Sequence, residues 1–259
     1  MSAPVTSKTA SCAGIPVAYL ESGAGAKTIV FLHGAGGASP EGVSFIPLLG
    51  ARHRLLLPSR PGFDATPEGN CKSVADVVDV LAAFVREVAG GTAHVVAQSA
   101  GGAYGCWLAI RYPDLVESLV LSAPAAFAGH RAPPPPQELA RILYGDSPSW
   151  AAPPDEANRQ RIAKNAQANM RRFPDTADEL KGRLGEIKAP TLLLWGTGDR
   201  LIPEEALQPY QLAIPTCTRI LIHGAAHELP IAACEPWVRL VADFVERGER
   251  FVVNLGEGS

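Results

Sequence analysis

The chain has 259 residues, 23 basic and 26 acidic, for a net charge of −3, and 47% of them are apolar. That balance supports a sizeable core, excludes a fibrous or disordered chain, and leaves no basic stripe of the kind that binds nucleic acid. The cysteines Cys12, Cys71, Cys106, Cys217 and Cys234 never fall in Cys-x-x-Cys spacing, so neither a disulfide framework nor a metal site is expected.

The first residues, MSAPVTSKTASCAG, lack the apolar run of a secretion signal, and no apolar run reaches the length needed to cross a bilayer. A cytoplasmic protein without membrane insertion is expected. Residues 5–12 and 15–21 read as two strands joined at Ala13-Gly14, an antiparallel hairpin at a sheet edge. The continuous apolar run 27–32 reads as a strand covered on both faces. It ends in His33-Gly34-Ala35-Gly36-Gly37, where glycines free the backbone to turn its amides outward. A helix over 41–49, a buried strand over 53–57 and a turn-rich loop Pro58-Ser59-Arg60-Pro61-Gly62-Phe63-Asp64 follow. Between 73 and 89, Val74, Val77, Val78, Leu81, Phe84, Val85 and Val88 form one apolar helical face.

Next the run Val95-Val96-Ala97 stops at Gln98-Ser99-Ala100-Gly101-Gly102, and a helix-competent segment begins with no polar linker between. A strand that turns so sharply into a helix crowds its backbone, so the residues two before and two after the apex must be small. Here they are Ala97 and Gly101, around Ser99. A further strand spans 118–122, and up to this point strands and helices alternate, the signature of a mostly parallel sheet with helices on both faces. From 125 to 187 no strand-like run occurs; the prolines 133–136 read as a stiff connector, with helices expected over 137–144, 155–172 and 176–184. Alternation resumes with a strand over 191–195, a helix after Pro203, a strand over 218–223 and a helix over 236–247. The expected organisation is a core of residues 1–124 and 188–259, with 125–187 as a helical cap over the carboxyl ends of the strands.

A serine hydroxyl is a poor nucleophile at neutral pH and needs a base, a group to orient that base, and donors for the oxyanion formed on attack. The base candidate is His227, in a small-residue loop past the last strand; His223, at the strand end itself, is the competitor. The orienting acid is Asp199, in Gly196-Thr197-Gly198-Asp199 after the preceding strand. The oxyanion donors would be the backbone amides of Ala100 and Ala35, with Gly36 the alternative to Ala35, and His33 would brace that loop. Substrate contacts are expected from Gly36 and Gln98 and, in the cap, from Leu143, Tyr144, Trp150 and Met170, with Phe173 a further apolar candidate.

The chain resembles the α/β-hydrolase fold superfamily, through HGAGG at 33–37, SRPGFD at 59–64, AQSAGG at 97–102, GTGDRLIP at 196–203 and GAAHELP at 224–230. The resemblance implies an eight-stranded sheet, a helical cap inserted after the sixth strand, and an acyl-serine mechanism without a cofactor. Ala97 stands where glycine is usual, and Gln98 where histidine is common. Ser99 separates the chain from relatives with an aspartate nucleophile, and Glu228 from plant-type hydroxynitrile lyases, which have lysine after the catalytic histidine. The expected substrate is a small-molecule ester or lactone, neutral and fairly apolar. A carbon-carbon bond hydrolase or acyltransferase on the same triad is the alternative, and a ligand-binding protein on a hydrolase scaffold the contrasting class.

Overall fold

The computed structural model describes residues 4–38, 45–129, 134–145, 156–171 and 176–248. The candidates Trp150 and Phe173, and the first turn of the helix expected over 41–49, lie outside the described residues.

Strands β1 (Val5–Cys12) and β2 (Ile15–Ser22) form the expected hairpin. Its two turn residues, Ala13 (φ +48°) and Gly14 (φ +76°), are both left-handed, which matches the twist of the flanking strands. There follow β3 (Thr28–Leu32), α1 (Phe45–Gly50), β4 (Arg54–Pro58), α2 (Val74–Phe84), β5 (Ala93–Gln98), α3 (Gly101–Arg111) and β6 (Val116–Ser122). After β6 come three helices, α4 (Pro136–Tyr144), α5 (Glu156–Arg171) and α6 (Ala177–Arg183), then β7 (Thr191–Gly196), α7 (Gln208–Ala213), β8 (Cys217–Ile222), α8 (Leu229–Ala232) and α9 (Cys234–Arg247).

The strands form one sheet in the order β1-β2-β4-β3-β5-β6-β7-β8. β2 pairs antiparallel with both β1 and β4, and every pairing from β4 to β8 is parallel. All six residues of β5 and of β7 are buried, as strands covered on both faces must be. On one face α1 and α9 pack together, with Trp237 of α9 set edge-on to Phe31 and Phe45 and its indole N–H donated to Ser122 Oγ at 3.0 Å. On the other, α2 and α3 lie side by side, and Phe84 meets Tyr19 edge-on.

α2 begins at Ser73, whose hydroxyl accepts from the Asp76 amide, and it passes at Val85 into a π-turn that runs to Ala89. α6, placed inside the expected cap by its sequence position, packs against α3 instead. Leu180 is buried and the Arg183 guanidinium lies 5.3 Å from the Trp107 ring. No helix among the described residues is long and apolar enough to cross a membrane.

Candidate active site

β5 ends at Gln98 and α3 begins at Gly101, which leaves Ser99 and Ala100 to reverse the chain. Ser99 sits in the left-handed region at φ +52°, a conformation that costs a non-glycine residue about 1–3 kcal/mol and persists only where its surroundings hold it. The hold is backbone: the Ser99 amide donates to Ser122 O at 2.9 Å, and the Ser99 carbonyl accepts from Gly102 at 2.9 Å and Ala125 at 3.1 Å. A Cβ at position 101 would run into the carbonyls of Leu32 and His33, and one at 105 would come within 2.8 Å of Ala97 Cβ. Small residues here let α3 close on β3 and β5.

The turn holds Ser99 Oγ 2.9 Å from His227 Nε2, and His227 Nδ1 lies 2.8 Å from Asp199 Oδ2. The second carboxylate oxygen of Asp199 accepts from the amides of Leu201 and Ile202, both at 2.8 Å. With Asp199 accepting only, Nδ1 carries the proton and Nε2 is left to accept from the serine hydroxyl. The two loops that carry the histidine and the aspartate are tied to each other: Gly198 N donates to Ala225 O at 2.9 Å and Gly224 N to Thr197 Oγ at 2.8 Å. Ser99, Asp199 and His227 are all buried, whereas His223 is exposed beyond β8 and takes no part in this chain of bonds.

Burial works against protonation of His227, but the hydrogen bond and charge of Asp199, joined by the charge of Glu228, outweigh it and hold the imidazole above its ordinary 6.5. Glu228 is half-buried. Burial raises its carboxyl above the usual 4.5, opposed in part by attraction to His227. Such a chain can take a proton from a hydroxyl and return it to a leaving group without leaving either buried partner uncompensated.

The loop after β3 lies against the serine. A Cβ at Gly34 would stand 3.2 Å from Ser99 Cβ. The Gly34 carbonyl accepts from His33 Nδ1 at 2.8 Å, from Arg60 Nη2 at 3.0 Å and from Gly37 N at 3.4 Å. His33 Nε2 accepts from the Arg60 amide at 3.0 Å, so the ring is neutral with its proton on Nδ1. Burial, then the charge of Arg60, lowers its pKa to about 3. The Arg60 guanidinium is fully buried between the rings of Phe63 (4.5 Å) and Tyr104 (4.4 Å). In a trans peptide the C=O and N–H point in opposite directions. Anchoring Gly34 O from behind therefore aims the Ala35 amide forward. The amides of Ala35 and Gly36 donate to no other described residue, and either is available as an oxyanion donor beside Ala100.

The remaining candidates divide. The Gln98 side-chain amide donates to His227 O at 3.1 Å, and its buried Oε1 has no partner among the described residues. The Leu143 carbonyl accepts from the Glu228 amide at 2.8 Å, which joins α4 to the histidine loop. Tyr144 stands close enough to Glu228 and Arg161 to feel their charges, and burial, then Glu228, pushes its phenol up to about 12. Met170 lies on α5. Asn165 and Arg161 of α5 bond Gly36 O; nothing in the sequence of so polar a helix distinguishes them from its solvated neighbours. Among the described residues no cluster of His, Cys, Asp and Glu could hold a metal ion.

Residues 29–243 match the model of the alpha/beta hydrolase family. The chain is 26% identical over 266 aligned positions to the 2-hydroxy-6-oxononadienedioate/2-hydroxy-6-oxononatrienedioate hydrolase 2 of Pseudomonas putida, with 88% of this chain and 91% of that protein covered. It is 28% identical over 226 positions to the 2-hydroxy-6-oxo-6-phenylhexa-2,4-dienoate hydrolase of Comamonas testosteroni, covering 71% of this chain and 75% of that one. Among solved structures, a membrane phospholipase A described as a bacterial virulence factor superposes with a TM-score of 0.78 at 22% identity, covering 95% of this chain and 87% of its own.

Proposed function

The chain belongs to the alpha/beta hydrolase family, and on that footing we propose that it hydrolyses the carbon-carbon bond next to the 6-oxo group of a conjugated 2-hydroxy-6-oxodienoate. Ser99 is the nucleophile, His227 the base and then the acid, and Asp199 the group that orients it. The observation that carries the choice of bond is the similarity, through 88% of the chain in one case, to hydrolases named for that substrate class.

Chemistry connects the site to that bond. Ser99 Oγ adds to the ketone carbon while its proton passes to His227 Nε2. The negative oxygen is received by the amides of Ala100 and of Ala35 or Gly36, a stabilisation worth about a hundredfold or more in turnover per donor. Collapse of the adduct breaks the carbon-carbon bond. An isolated carbanion is too basic to leave, but here the electron pair is delocalised through the adjoining alkene onto the 2-oxo group of the keto tautomer. The proton held by His227 goes to this fragment. Water, deprotonated by the same imidazole, then releases the acyl half as a carboxylic acid, so one water is consumed per bond broken.

A second reading is hydrolysis of a neutral carboxylic ester or lactone by the same steps. It is favoured by Glu228, whose charge is felt at both His227 and Tyr144 and disfavours a second anion nearby. The test is turnover of 2-hydroxy-6-oxo-6-phenylhexa-2,4-dienoate, followed by loss of its visible absorption, beside p-nitrophenyl esters from acetate to decanoate. The Ser99→Ala variant is run in parallel. Dienoate turnover that exceeds the best ester in kcat/KM and vanishes in the variant supports carbon-carbon cleavage. Ester turnover with the dienoate untouched replaces it with the second reading, and a folded protein inert to both is not a hydrolase of either kind.

A further inference from the structure

We infer that Asn165 and Arg161 of α5, acting with Asp64, are positioning residues for the oxyanion loop, so that the loop is held in its working shape only while α5 is seated on it. The inference rests on the reading of Ser99 as nucleophile, and not on which bond it breaks.

The loop after β3 is a turn with two sides. The near side, at Gly34 O, is braced by His33 and Arg60 of the body. The far side is the Gly36-Gly37 peptide, and its carbonyl accepts from Asn165 Nδ2 at 2.9 Å and Arg161 Nη1 at 3.3 Å. Both side chains come from α5, one helical turn apart, and α5 belongs to the insertion between β6 and β7. Two ties on this side of the turn do not pass through α5: Gly37 N to Gly34 O at 3.4 Å, a long and weak bond within the loop, and Ala38 N to Asp64 Oδ2 at 2.8 Å, one residue beyond the Gly36-Gly37 peptide.

Asp64 makes the seating specific. It holds a left-handed backbone at φ +50°. Its Oδ1 accepts from Arg161 at 2.6 Å and Asn165 at 2.7 Å, and its Oδ2 from the Ala38 amide at 2.8 Å and Ser59 Oγ at 3.2 Å. Asn165 Oδ1 answers the Asp64 amide at 3.3 Å, so this side chain, 3% exposed, is used at both ends. Gly37 is left-handed at φ +89°, and a Cβ there would collide with Asn165 Nδ2 and come within 2.6 Å of Asp64 Oδ2. Ile162 lies over Gly36, 3.6 Å from where its Cβ would be. One carboxylate thus gathers the strand loop after β4, the far end of the oxyanion loop and the inserted helix. Lifting α5 removes both side-chain donors from Gly36 O and frees the peptide next to the donor amides.

The experiment reads the loop directly through phosphorylation of Ser99 by diisopropyl fluorophosphate, in which the serine oxygen displaces fluoride and the phosphoryl oxygen takes the oxyanion position whatever the natural substrate is. Kinetics with p-nitrophenyl acetate, whose acyl group is small, separate kcat from KM. Asn165→Ala and the isosteric Asn165→Asp, which removes the donor to Gly36 O, should each slow phosphorylation and lower kcat by about tenfold or more, with KM within about twofold. Arg161→Gln should move both in the same direction by less, and Arg161→Lys, which keeps a cationic donor, should recover most of the loss. Phosphorylation within about twofold of the parent in the folded variants would overturn the inference, as would a loss confined to KM. If Asn165→Ala does not fold, Arg161→Gln decides, because that side chain is partly exposed. A parent protein that diisopropyl fluorophosphate does not label at Ser99 would overturn the nucleophile assignment itself.

Discussion

Gln98, the residue before the serine, donates its side-chain amide to the main-chain carbonyl of His227, 129 positions further along, at 3.1 Å. The strand that presents Ser99 therefore also braces the loop that presents the imidazole, alongside the bonds that tie that loop to the Asp199 loop and to α4. Gln98→Leu fills much the same space but removes one of that carbonyl's two donors, leaving the Leu229 amide at 2.9 Å. It should cost about 0.5–1.5 kcal/mol in stability and lower kcat several-fold, with KM little changed. Urea unfolding and steady-state kinetics on the same preparation check both.

The left-handed backbone at Ser99 predicts opposite effects on activity and stability. Ser99→Gly and Ser99→Ala should both abolish turnover. Glycine occupies φ +52° without strain, so the glycine variant should be the more stable of the two by about 1 kcal/mol. Equal urea midpoints for the two variants would show that the turn stores no strain.

In the proposed mechanism His227 must be neutral to act as a base, and its pKa is held above the ordinary 6.5. Activity should therefore rise with pH through an acid limb centred above that value, which belongs to the coupled His227–Glu228 pair. Glu228→Gln removes one of the charges that raise it, so the limb should move to lower pH. Profiles of kcat/KM for parent and variant test this; a limb that stays in place would remove Glu228 from the electrostatics of the site.

His33 carries a different dependence. Its pKa falls from 6.5 when unfolded to about 3 in the fold, so below 6.5 the unfolded chain takes up a proton that the folded one refuses. Stability contributed at this site is full above 6.5 and is lost as pH falls toward 3, at no more than about 1.4 kcal/mol per pH unit. His33→Gln should flatten the fall in urea midpoint between about pH 6 and about pH 4 by that share. An unchanged slope would mean that His33 is protonated in place.

Most of the fold was legible because its signals are local. The apolar runs of β3, β5 and β7 are of the kind that only strands buried on both faces carry, and each candidate group followed a different strand. The spacing of the apolar residues from Val74 to Val88 reads as one helix, because a side-chain pattern is blind to the backbone slip that turns α2 into a π-turn at Val85. Gln98 stood among the expected substrate contacts; the bond of its amide to His227 O was not legible, because that partner comes from a loop that sequence distance hides. The clasp on Gly36 was illegible for a similar reason. Asp64 meets Arg161 and Asn165 across 97 and 101 positions, and nothing along a polar helix marks which polar residues turn inward. Nor could the bond be read, since one serine, histidine and aspartate serve esters and ketones alike and the leaving group alone differs.

The 128 positions between Ser99 and His227 also fix when during synthesis the molecule becomes competent. A nascent chain can complete β5, its sharp turn and α3 and bring the serine to the surface of a half-made sheet, but both Asp199 and His227 follow strands that have yet to be translated. On the proposed reading, stalled or carboxyl-terminally truncated chains that end before β8 are expected to be hydrolytically silent, and chemistry to switch on only after the last strand has docked at the sheet edge, so that the order of translation itself would keep an unfinished nucleophile from acting.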